Sequence, residues 1–515
     1  MRGMIIKSGT VYLAGAGPGD PGLLTLRTLE LLRACNCIVH DALVSAEVME
    51  LANAQAEKIY VGKRGNQHAV EQPDINRLLL ENAKAGKCVL RLKGGDPYLF
   101  GRGAEEALYL VDQGVAVEVV PGITAGIAAP AYAGIPVTHR EHASAVTFVT
   151  GHEDPTKPDS ALNWEALAKI GTICFYMGVK NLGRIASELS KYRSPQTPVA
   201  VIEWGTTPRQ RTAAGTLADI QSIAERMKIQ SPALTVVGDV VQYRQKLNFF
   251  ERAPLLGRRV VVTRARTQAS DLAENLRELG AGVYQFPTIR ILPCKNAEMK
   301  QAVQKLAQGD FDWVILTSVN GVDALFEEIS AQQLDARAVK ARVAAVGAAT
   351  AQRMKEKGIT ADVLPPEYLA ESIAGTLQSQ GQIAGKRFLL IRADIARTEL
   401  PQALKKWGGE VADVVAYQTV LETAGNEEAL SLLDAGQIDC VTFTSGSTAR
   451  HFAQILGEDR LRRILASEKL QCLSIGPVTS GAMKEAGIPV HGEASVHDIN
   501  GLVDLLKIKL CVRHD

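Results

Sequence analysis

The segment Arg91–Gly103, with the sequence RLKGGDPYLFGRG, contains residue types whose spacing could support ligand chemistry. It follows the apolar run Cys88–Leu90, which predicts that it begins at the end of a buried strand. Two consecutive glycines then allow a ligand to approach the backbone, because they carry no Cβ atom. Asp96, held in a turn by Pro97, would present a carboxylate to a ligand ammonium group or a ribose hydroxyl. Ordinary Gly-Asp-Pro surface turns have the same letters, so this segment alone leaves both interpretations open.

A second glycine-rich loop, Gly15–Gly22, follows the apolar run at residues 11–14. Read from Gly17 it is GPGDPG, a formal GxGxxG, and Asp41 lies at the distance expected for a ribose-binding acid, which favours a dinucleotide-binding dehydrogenase. Pro18 and Pro21 argue against that interpretation, because neither has the N–H group that a pyrophosphate requires. The loop better suits a ligand without phosphate that needs close backbone approach, and S-adenosylmethionine is such a ligand.

Length and charge limit the classes of protein to consider. The 515 residues exceed what one hydrophobic core can organise, and at about 150 residues per domain they predict three or four domains. The formal net charge is +1, so no overall field favours nucleic acid. No apolar segment approaches the roughly 18 residues that a membrane helix needs, and the apolar stretch near the start is too short for a signal peptide. We expect a cytoplasmic protein that binds neither nucleic acid nor membranes.

Cysteine and histidine usage gives no sign of a metal site. The eight cysteines include no CxxC pair, and most lie in apolar runs, which predicts reduced thiols in hydrophobic cores. Among the nine histidines, His139 and His142 come closest to the spacing of metal ligands without matching it. We therefore expect no metal.

Short apolar runs alternate with helix-like segments, which predicts α/β layers. A seam falls within 246–259, where a strand has ended and a proline and a glycine precede a new strand at Val260. We place the boundary at about residues 250–257, so that one unit covers 1–250 and another 251–515. The apolar runs of the first unit are Val11–Ala14, Cys37–Val39, Cys88–Leu90, Val115–Val120, Ala145–Thr150, Thr172–Tyr176, Val199–Ile202 and Leu234–Val237.

The chain repeats itself beyond this boundary. A nearly constant offset between similar segments is hard to obtain by chance and indicates a duplicated unit, so we expect two similar α/β lobes that face a cleft. Three pairs of segments resemble each other at offsets of 128, 127 and 129 residues: 257–289 with 385–420, 312–325 with 439–452, and 342–359 with 471–488.

Small hydroxyl or glycine residues follow the predicted strands of both repeats. Open α/β sheets bind ligands at such strand ends, which favours a binding cleft for the set as a whole. Each residue taken singly is better explained as a helix cap. The set comprises Thr263, Thr317, Ser318, Gly347, Thr444, Ser445, Gly476 and Thr479.

The motifs of the N-terminal half, taken together and in order, resemble the tetrapyrrole methylase family, and within it the uroporphyrinogen-III C-methyltransferases. The resemblance covers about residues 9–250 and is specific. The motifs are GAGPGDPGLLT (15–25), VHD (39–41), VGKRGNQH (61–68), RLKGGDPYLFGRG (91–103), VVPGITA (119–125), GIPVTHR (134–140), TGH (150–152), FYMG (175–178) and SPALTVVGDVV (231–241).

This resemblance implies a two-lobed fold that is not the Rossmann methyltransferase fold, with the lobes divided near residues 125–140. It also implies S-adenosyl-L-methionine in a trough between the lobes, and a homodimer formed through this half. The family's proposed proton acceptor and donor correspond to Asp41 and Lys63, and Lys63 with Arg64 suits the carboxylate arms of the substrate. Its cofactor contacts correspond to Pro18, Gly94, Gly95, Asp96, Leu99, Thr124, Ala125, Met177 and Gly205.

The C-terminal half resembles the uroporphyrinogen-III synthase family, through shorter and more degenerate motifs. The resemblance implies a bilobal α/β fold, with one lobe built from 257–290 and 422–515 and the other from 291–421. Its reaction cyclises hydroxymethylbilane without a cofactor, and Tyr417 matches the tyrosine thought to help the hydroxyl group depart. Candidate substrate contacts in this half are Thr263, Arg264, Thr317, Ser318, Ser445 and Thr479. The motifs are PLLGRRVVVTRA (254–265), LTSVNGV (316–322), AAVGAATA (344–351), LAESIA (369–374), VAYQT (415–419), FTSGST (443–448) and SIGPVTS (474–480).

The product of a uroporphyrinogen-III synthase is the substrate of the methylase, so the two resemblances together imply a bifunctional enzyme. It would cyclise hydroxymethylbilane and then methylate uroporphyrinogen III at C2 and C7, giving precorrin-2 for sirohaem or cobalamin. Two alternatives stay open from the sequence. One is the NAD-dependent dehydrogenase, and the other is a methyltransferase whose C-terminal half is a non-catalytic binding module.

Overall fold

The structure is a computed structural model that describes residues 6–62, 70–151, 162–263, 270–294, 297–365, 370–394, 398–422 and 425–511. The described residues form two compact units. One takes residues within 1–260, 272–283 and 503–515, and the other takes residues within 261–271 and 284–502. Strands and helices alternate throughout, which confirms the α/β class. The sequence-based bounds of 1–250 and 251–515, and of the lobes inside them, stay predictions.

The first sheet of the first unit is wholly parallel, so the carboxyl ends of its strands lie along one edge. All six residues of its interior strand Thr10–Gly15 are buried, as expected for a parallel strand covered by helices on both faces. The strands are β1 (Thr10–Gly15), β2 (Cys37–His40), β3 (Glu57–Tyr60), β4 (Val89–Lys93) and β5 (Ala116–Val120), in the order β3-β2-β4-β1-β5. The helices among and after them are α1 (Leu26–Ala34), α2 (Ala46–Glu50), α3 (Gln72–Lys84), α4 (Gly103–Asp112) and α5 (Ala125–Tyr132).

The second sheet of this unit is mixed, with one parallel pair at an edge and antiparallel pairing elsewhere. Its strands are β6 (Val146–Thr150), β7 (Thr172–Tyr176), β8 (Pro198–Glu203), β9 (Arg211–Thr216) and β10 (Ala233–Val237), in the order β6-β7-β10-β8-β9. The helices that follow these strands are α6 (Trp164–Ala168), α7 (Leu182–Ser190), α8 (Ile220–Arg226) and α9 (Arg244–Leu247). The unit is therefore built around two sheets, and the expected non-Rossmann arrangement is consistent with the antiparallel second sheet.

Two further five-stranded sheets are built from residues 259–493. The strands are β11 (Arg259–Val262), β12 (Gly282–Gln285), β13 (Ile289–Pro293), β14 (Trp313–Leu316), β15 (Arg342–Ala345), β16 (Arg387–Ala393), β17 (Glu410–Leu421), β18 (Cys440–Phe443), β19 (Gln471–Ser474) and β20 (Gly492–Glu493). The helices are α10 (Ser270–Glu278), α11 (Ala297–Gln308), α12 (Val319–Ala331), α13 (Ala348–Glu356), α14 (Ala370–Ser379), α15 (Glu399–Lys406), α16 (Glu427–Asp434), α17 (Gly446–Leu465), α18 (Pro477–Glu485) and α19 (Ile499–Leu510).

The strand orders of these sheets confirm the repeat in the sequence. One sheet has the order β12-β11-β18-β19-β20, and the other has the order β13-β17-β16-β14-β15. In the alignment of the two repeats, β11 corresponds to β16, β18 to β14 and β19 to β15. Corresponding strands have corresponding neighbours in the two sheets. The C-terminal half therefore contains two α/β sheets that share the order of four corresponding strands and differ in the fifth, while the cleft expected between them stays a prediction.

Two features of the whole chain complete the fold. No helix among the described residues combines the length and apolarity that a membrane crossing requires. The eight cysteines are free thiols, and six of them are buried, while Cys294 is half-buried and Cys511 is exposed.

Candidate active site

Three glycines at the carboxyl edge of the first sheet pack backbone against backbone. They are Gly15 at the end of β1, Gly95 after β4 and Gly122 after β5. A Cβ atom on Gly15 would lie 2.4 Å from the Gly95 carbonyl oxygen, and one on Gly122 would lie 2.2 Å from that oxygen. Because heavy atoms cannot approach so closely, only residues without a side chain permit this contact. We call these three residues the glycine contact.

Backbone hydrogen bonds also hold the glycine-rich loop after β1 to the loop after β4. Gly17 N–H donates to the Gly95 carbonyl at 3.2 Å, and Gly95 N–H donates to the Gly17 carbonyl at 2.7 Å. The amide of Gly22 donates to the Asp20 carboxylate at 2.7 Å. Gly17 and Gly22 thus use their N–H groups within the chain, and the GPGDPG loop carries a carboxylate of its own, which makes it a poor site for a pyrophosphate.

Asp96 is fixed by two backbone donors. Its Oδ1 atom accepts from the Tyr98 N–H at 2.8 Å, and its Oδ2 atom accepts from the Gly122 N–H at 3.1 Å. The half-buried carboxylate therefore joins the loop after β4 to the loop after β5. A carboxylate has about four acceptor positions, so two remain for a ligand hydroxyl or ammonium group.

The second sheet contributes Tyr176, at the end of β7, to the same region. The Tyr176 hydroxyl lies in hydrogen-bond contact with the Thr124 hydroxyl and accepts from the Gly126 N–H at 2.6 Å. Burial raises the pKa of this phenol, so the neutral hydroxyl is the relevant form. Met177, the next residue, has a left-handed backbone with φ of 56° and is 50% exposed. Such backbone strain in a non-glycine residue is typical of ligand sites.

The turn after β8 closes this region. A Cβ atom on Gly205 would lie 2.4 Å from the Ala129 Cβ on α5, so the turn and the helix touch only because this residue is glycine. Its neighbours Trp204 and Thr206 both have left-handed backbones, with φ of 49° and 67°. The Thr206 hydroxyl accepts from the Asp20 N–H at 3.3 Å, which ties the turn to the loop after β1. Two strained residues beside a close approach again indicate a functional region.

Asp41 follows β2 and lies near the loop after β4 that contains Gly94. Its Oδ1 atom accepts from the Leu43 N–H at 3.1 Å, and a Cβ atom on Gly94 would lie 2.5 Å from the Leu43 Cβ. Its Oδ2 atom lies 3.8 Å from the buried Arg91 guanidinium. Lys63 and Arg64, the other predicted polar residues of this region, lie outside the described residues.

The structure brings most residues with a predicted cofactor role to one place. Pro18 and Leu99 lie half-buried in the two glycine loops, while Thr124 and Ala125 lie at the start of α5. The contacts above link these loops to Met177 and Gly205 through Tyr176, Asp20 and α5. Glycine backbone beside one fixed carboxylate suits a nucleoside with an amino-acid arm.

Tyr417 in the C-terminal half contacts a second predicted residue. Its hydroxyl lies 2.8 Å from the Ser318 hydroxyl, and its ring is buried. The pairing of β16 with β17 shifts register here, since Arg392 pairs with Val415 but Ala393 pairs with Tyr417. Such an irregularity re-aims side chains, and it places the phenol at the start of α12, where Ser318 is the N-cap.

Two of the other predicted substrate contacts in this half, Thr263 and Ser445, have structural partners. The buried Thr263 hydroxyl donates to the Thr442 carbonyl at 2.8 Å, so it is engaged within its own sheet. Ser445 caps α17 by accepting from the Thr448 N–H at 3.3 Å, as the helix-cap alternative predicted. Thr479 is buried in α18, and Thr317 is half-buried beside the cap of α12. Arg264 lies outside the described residues.

One cluster could in principle hold a metal ion. Ligand atoms of His139, Glu141 and His142 lie within 4.8 Å of one another. However, His139 Nδ1 accepts from the Glu141 N–H at 3.2 Å, and its ring packs 4.5 Å from the Tyr243 ring. These contacts give the histidine a structural role, and the expected absence of a metal stays a prediction.

Several residues of the candidate cofactor site were not predicted from the sequence. Gly15, Gly122 and Tyr176 lie inside the recognised motifs, but nothing in the letters shows which backbone segments meet. Arg91, Lys93 and Glu106 were also missed, although the first two are charged residues in an otherwise apolar strand, which is a usable signal.

Two family profiles divide the chain between them. Residues 10–221 match the tetrapyrrole (corrin/porphyrin) methylases, and residues 270–504 match the uroporphyrinogen-III synthase HemD family. The chain is 34% identical over 505 residues to the porphyrin biosynthesis protein HemD of Ruminiclostridium josui, covering 97% of this chain and 98% of that protein.

Two further relatives match the N-terminal half. An S-adenosyl-L-methionine-dependent uroporphyrinogen III methyltransferase of Methanosarcina barkeri is 59% identical over 235 residues, covering 45% of this chain and 92% of that protein. A crystal structure of the uroporphyrin-III C-methyl transferase from Thermus thermophilus, complexed with S-adenyl homocysteine, is 39% identical, with a TM-score of 0.39. It corresponds to 45% of this chain and 93% of that chain.

Proposed function

Because the chain belongs to the tetrapyrrole methylases in its N-terminal half and to the uroporphyrinogen-III synthases in its C-terminal half, we propose that it catalyses two consecutive reactions. The C-terminal half cyclises hydroxymethylbilane to uroporphyrinogen III. The N-terminal half then transfers methyl groups from S-adenosyl-L-methionine to C2 and C7, which gives precorrin-2. The observation that carries the methylase assignment is the glycine contact beside the fixed Asp96 carboxylate.

The residues around the glycine contact fit S-adenosyl-L-methionine. The bare backbone of Gly94 and Gly95 admits the cofactor, and Asp96 accepts hydrogen bonds from it. The cofactor also contacts Thr124, Ala125, Met177 and Gly205. When bound, the cofactor supplies an electrophilic methyl group on a sulfonium.

The other task of this site is to position the macrocycle and remove a proton. Orientation of the attacking pyrrole carbon is the main catalytic term, since holding two reactants in line removes most of the entropic barrier. Asp41, which is 26% exposed and lies 3.8 Å from the Arg91 guanidinium, accepts the proton that the methylated macrocycle must lose. We assign Lys63 as the proton donor and Arg64 as a partner of the substrate carboxylates, from their motif alone.

In the C-terminal half, Tyr417 assists departure of the hydroxyl group of hydroxymethylbilane. The Ser318 hydroxyl holds the phenol at 2.8 Å and so fixes its direction. Thr317, Ser318 and Ser445 lie at corresponding strand ends of the two repeats, where they can contact the substrate carboxylates. Thr263 is not part of this proposal, because its hydroxyl is engaged in the sheet.

Three finer points belong to the same proposal. We expect the protein to act in the cytoplasm, as a homodimer formed through the methylase half, and without nucleic acid. The near-neutral charge balance supports the last point, since a net charge of +1 gives no attraction to a polyanion.

The experiment is a coupled conversion by the full-length chain. Supplied with hydroxymethylbilane and S-adenosyl-L-methionine, the protein should release precorrin-2, measured by absorbance and mass. Tyr417→Phe should slow the cyclisation roughly 10-fold or more, since one transition-state hydrogen bond is worth about 1.5–3 kcal/mol, while methylation of supplied uroporphyrinogen III continues at the wild-type rate.

The control is Tyr192→Phe, because Tyr192 is an exposed tyrosine that belongs to neither candidate site. A folded wild-type sample that methylates uroporphyrinogen III but never cyclises hydroxymethylbilane would support the non-catalytic module instead. A sample that binds a nicotinamide dinucleotide and transfers no methyl group would favour the dehydrogenase.

A further inference from the structure

A cluster of buried charges lies beneath the carboxyl edge of the first sheet. Arg91 and Lys93 project from β4 toward α4, where Glu106 accepts from both of them. The side chains are 3%, 6% and 0% exposed respectively. Such burial is costly unless the charges are paired and hydrogen-bonded. We call Arg91, Lys93 and Glu106 the charge cluster.

The hydrogen bonds of the charge cluster are well developed. Glu106 Oε1 accepts from Lys93 Nζ at 3.0 Å and from Gln72 Nε2, on α3, at 3.0 Å. Arg91 Nε lies 3.3 Å from both Glu106 oxygens, and its Nη1 donates to the Leu92 carbonyl at 3.3 Å. Burial and repulsion from Arg91 lower the pKa of the Lys93 ammonium from its ordinary value of 10.5, while Glu106 opposes the change.

The charges of this cluster do not balance on their own, since two cations face one carboxylate. Asp41 supplies the second carboxylate. Its Oδ2 atom lies 3.8 Å from Arg91 Nη2, and its side chain is 26% exposed, compared with 0% for Glu106. Asp41 also attracts Lys93 electrostatically. The charged groups that act on Asp41 are thus Arg91 and Lys93 from β4, and behind them lie Glu106 from α4 and the uncharged Gln72 from α3.

We propose that Glu106, which acts through Arg91, and Lys93 are positioning residues that set the charge around Asp41 during methyl transfer. The inference rests on the proposed function, in which Asp41 accepts the proton from the macrocycle. Glu106 holds Arg91 away from a full ion pair with Asp41, so that the carboxylate remains free to receive a proton. Lys93 supplies a second positive charge that attracts this carboxylate.

Two substitutions should shift the acidic limb of the pH–rate profile in opposite directions. Glu106→Gln removes a negative charge and leaves both cations to Asp41, so the limb should move to lower pH. Lys93→Met removes a positive charge, so the limb should move to higher pH. Each shift should be about one to two pH units, because a unit charge roughly 6–12 Å away acts through an effective dielectric constant of about 20.

The experiment measures initial rates of precorrin-2 formation from uroporphyrinogen III by the full-length protein, across the acidic and neutral range. Glu81→Gln and Lys84→Met are the matched controls, because both residues are exposed on α3. The affinity of each variant for S-adenosylhomocysteine, measured by calorimetry, should stay within about threefold of the wild-type value. A threefold change corresponds to under 1 kcal/mol. Lys93→Arg, which keeps the charge, should return the limb toward its wild-type position.

Opposite shifts with retained affinity support the proposal. Limbs that stay at the wild-type pH, or that move in the same direction, overturn it and leave the charge cluster a structural feature. Should Glu106→Gln fail to fold, the comparison of Lys93→Met with Lys93→Arg decides alone. A wild-type protein without methyl transfer would instead refute the proposed function, so the two failures are distinguishable.

Discussion

Replacing Gly122 by alanine is expected to reduce the affinity for S-adenosylhomocysteine at least about 100-fold, since a displacement of about 1 Å in a binding site can cost this much. The new Cβ atom would lie 2.2 Å from the Gly95 carbonyl oxygen and 2.7 Å from the Gly15 Cα. Both neighbours are backbone atoms and cannot rotate aside. The loops after β1, β4 and β5 would have to separate, which would also displace the Asp96 carboxylate that accepts from the Gly122 N–H.

The matched control for this variant is Gly481→Ala. Gly481 lies within α18, where a Cβ atom would meet no heavy atom of the neighbouring described residues within 4 Å, so alanine there should leave the affinity unchanged. Calorimetric titration of both variants with S-adenosylhomocysteine checks the prediction, and cyclisation of hydroxymethylbilane reports whether the rest of the chain has folded. A Gly122→Ala protein that binds within about threefold of wild type, under 1 kcal/mol, would show that the glycine contact does not shape the cofactor site.

Replacing Asp96 is expected to have the second-largest effect. The loss of a charged hydrogen bond costs about 1.5–3 kcal/mol, so Asp96→Ala should lower the affinity for S-adenosylhomocysteine roughly 10–150-fold. Asp96→Asn should lower the affinity for S-adenosylhomocysteine almost as much. Its amide nitrogen would have to face the N–H group of either Tyr98 or Gly122, and two donors cannot form a hydrogen bond.

Asp112→Asn provides the comparison, because Asp112 is an exposed carboxylate at the end of α4. It should bind S-adenosylhomocysteine as the wild type does. If Asp96→Ala also keeps its affinity, the carboxylate is only a turn residue, which is the ordinary interpretation of a Gly-Asp-Pro sequence.

The strands of the first unit were largely predictable from apolar runs. The run Thr172–Tyr176 coincides with β7, and the other seven runs each fall on a strand. The strands β3 and β9 were missed, because neither EKIY nor RTAAGT contains a continuous apolar run. Both are edge strands. Fewer of their residues need to be apolar, so the pattern of apolar residues that predicts a strand is weaker in their sequences.

The repeat predicted the two similar sheets of the C-terminal half more securely than any single motif. Nearly constant offsets constrain order and spacing together, and the strand orders agree. The use of each hydroxyl was not predictable. Thr263 and Ser445 both follow strands in the sequence, yet one donates within its sheet and the other caps a helix. Only the packing of neighbouring strands decides between these uses.

The candidate site shows the same limit. Sequence motifs selected Asp96 and Gly95. The residues that contact them, Gly15 at the end of β1 and Gly122 after β5, lie far away in the chain. The charge cluster depends on a contact between β4 and α4 that brings Glu106 onto Arg91 and Lys93. Such meetings depend on tertiary packing, which residue spacing along one segment does not determine.

A crystal structure of the full-length protein with S-adenosylhomocysteine tests the central claim most directly. The account predicts density for the nucleoside over Gly94 and Gly95, with the Asp96 carboxylate within hydrogen-bond distance and Met177 and Gly205 against the ligand. Density for the nucleoside at any other place, or a nicotinamide dinucleotide bound over Gly17 in a parallel soak, would contradict it.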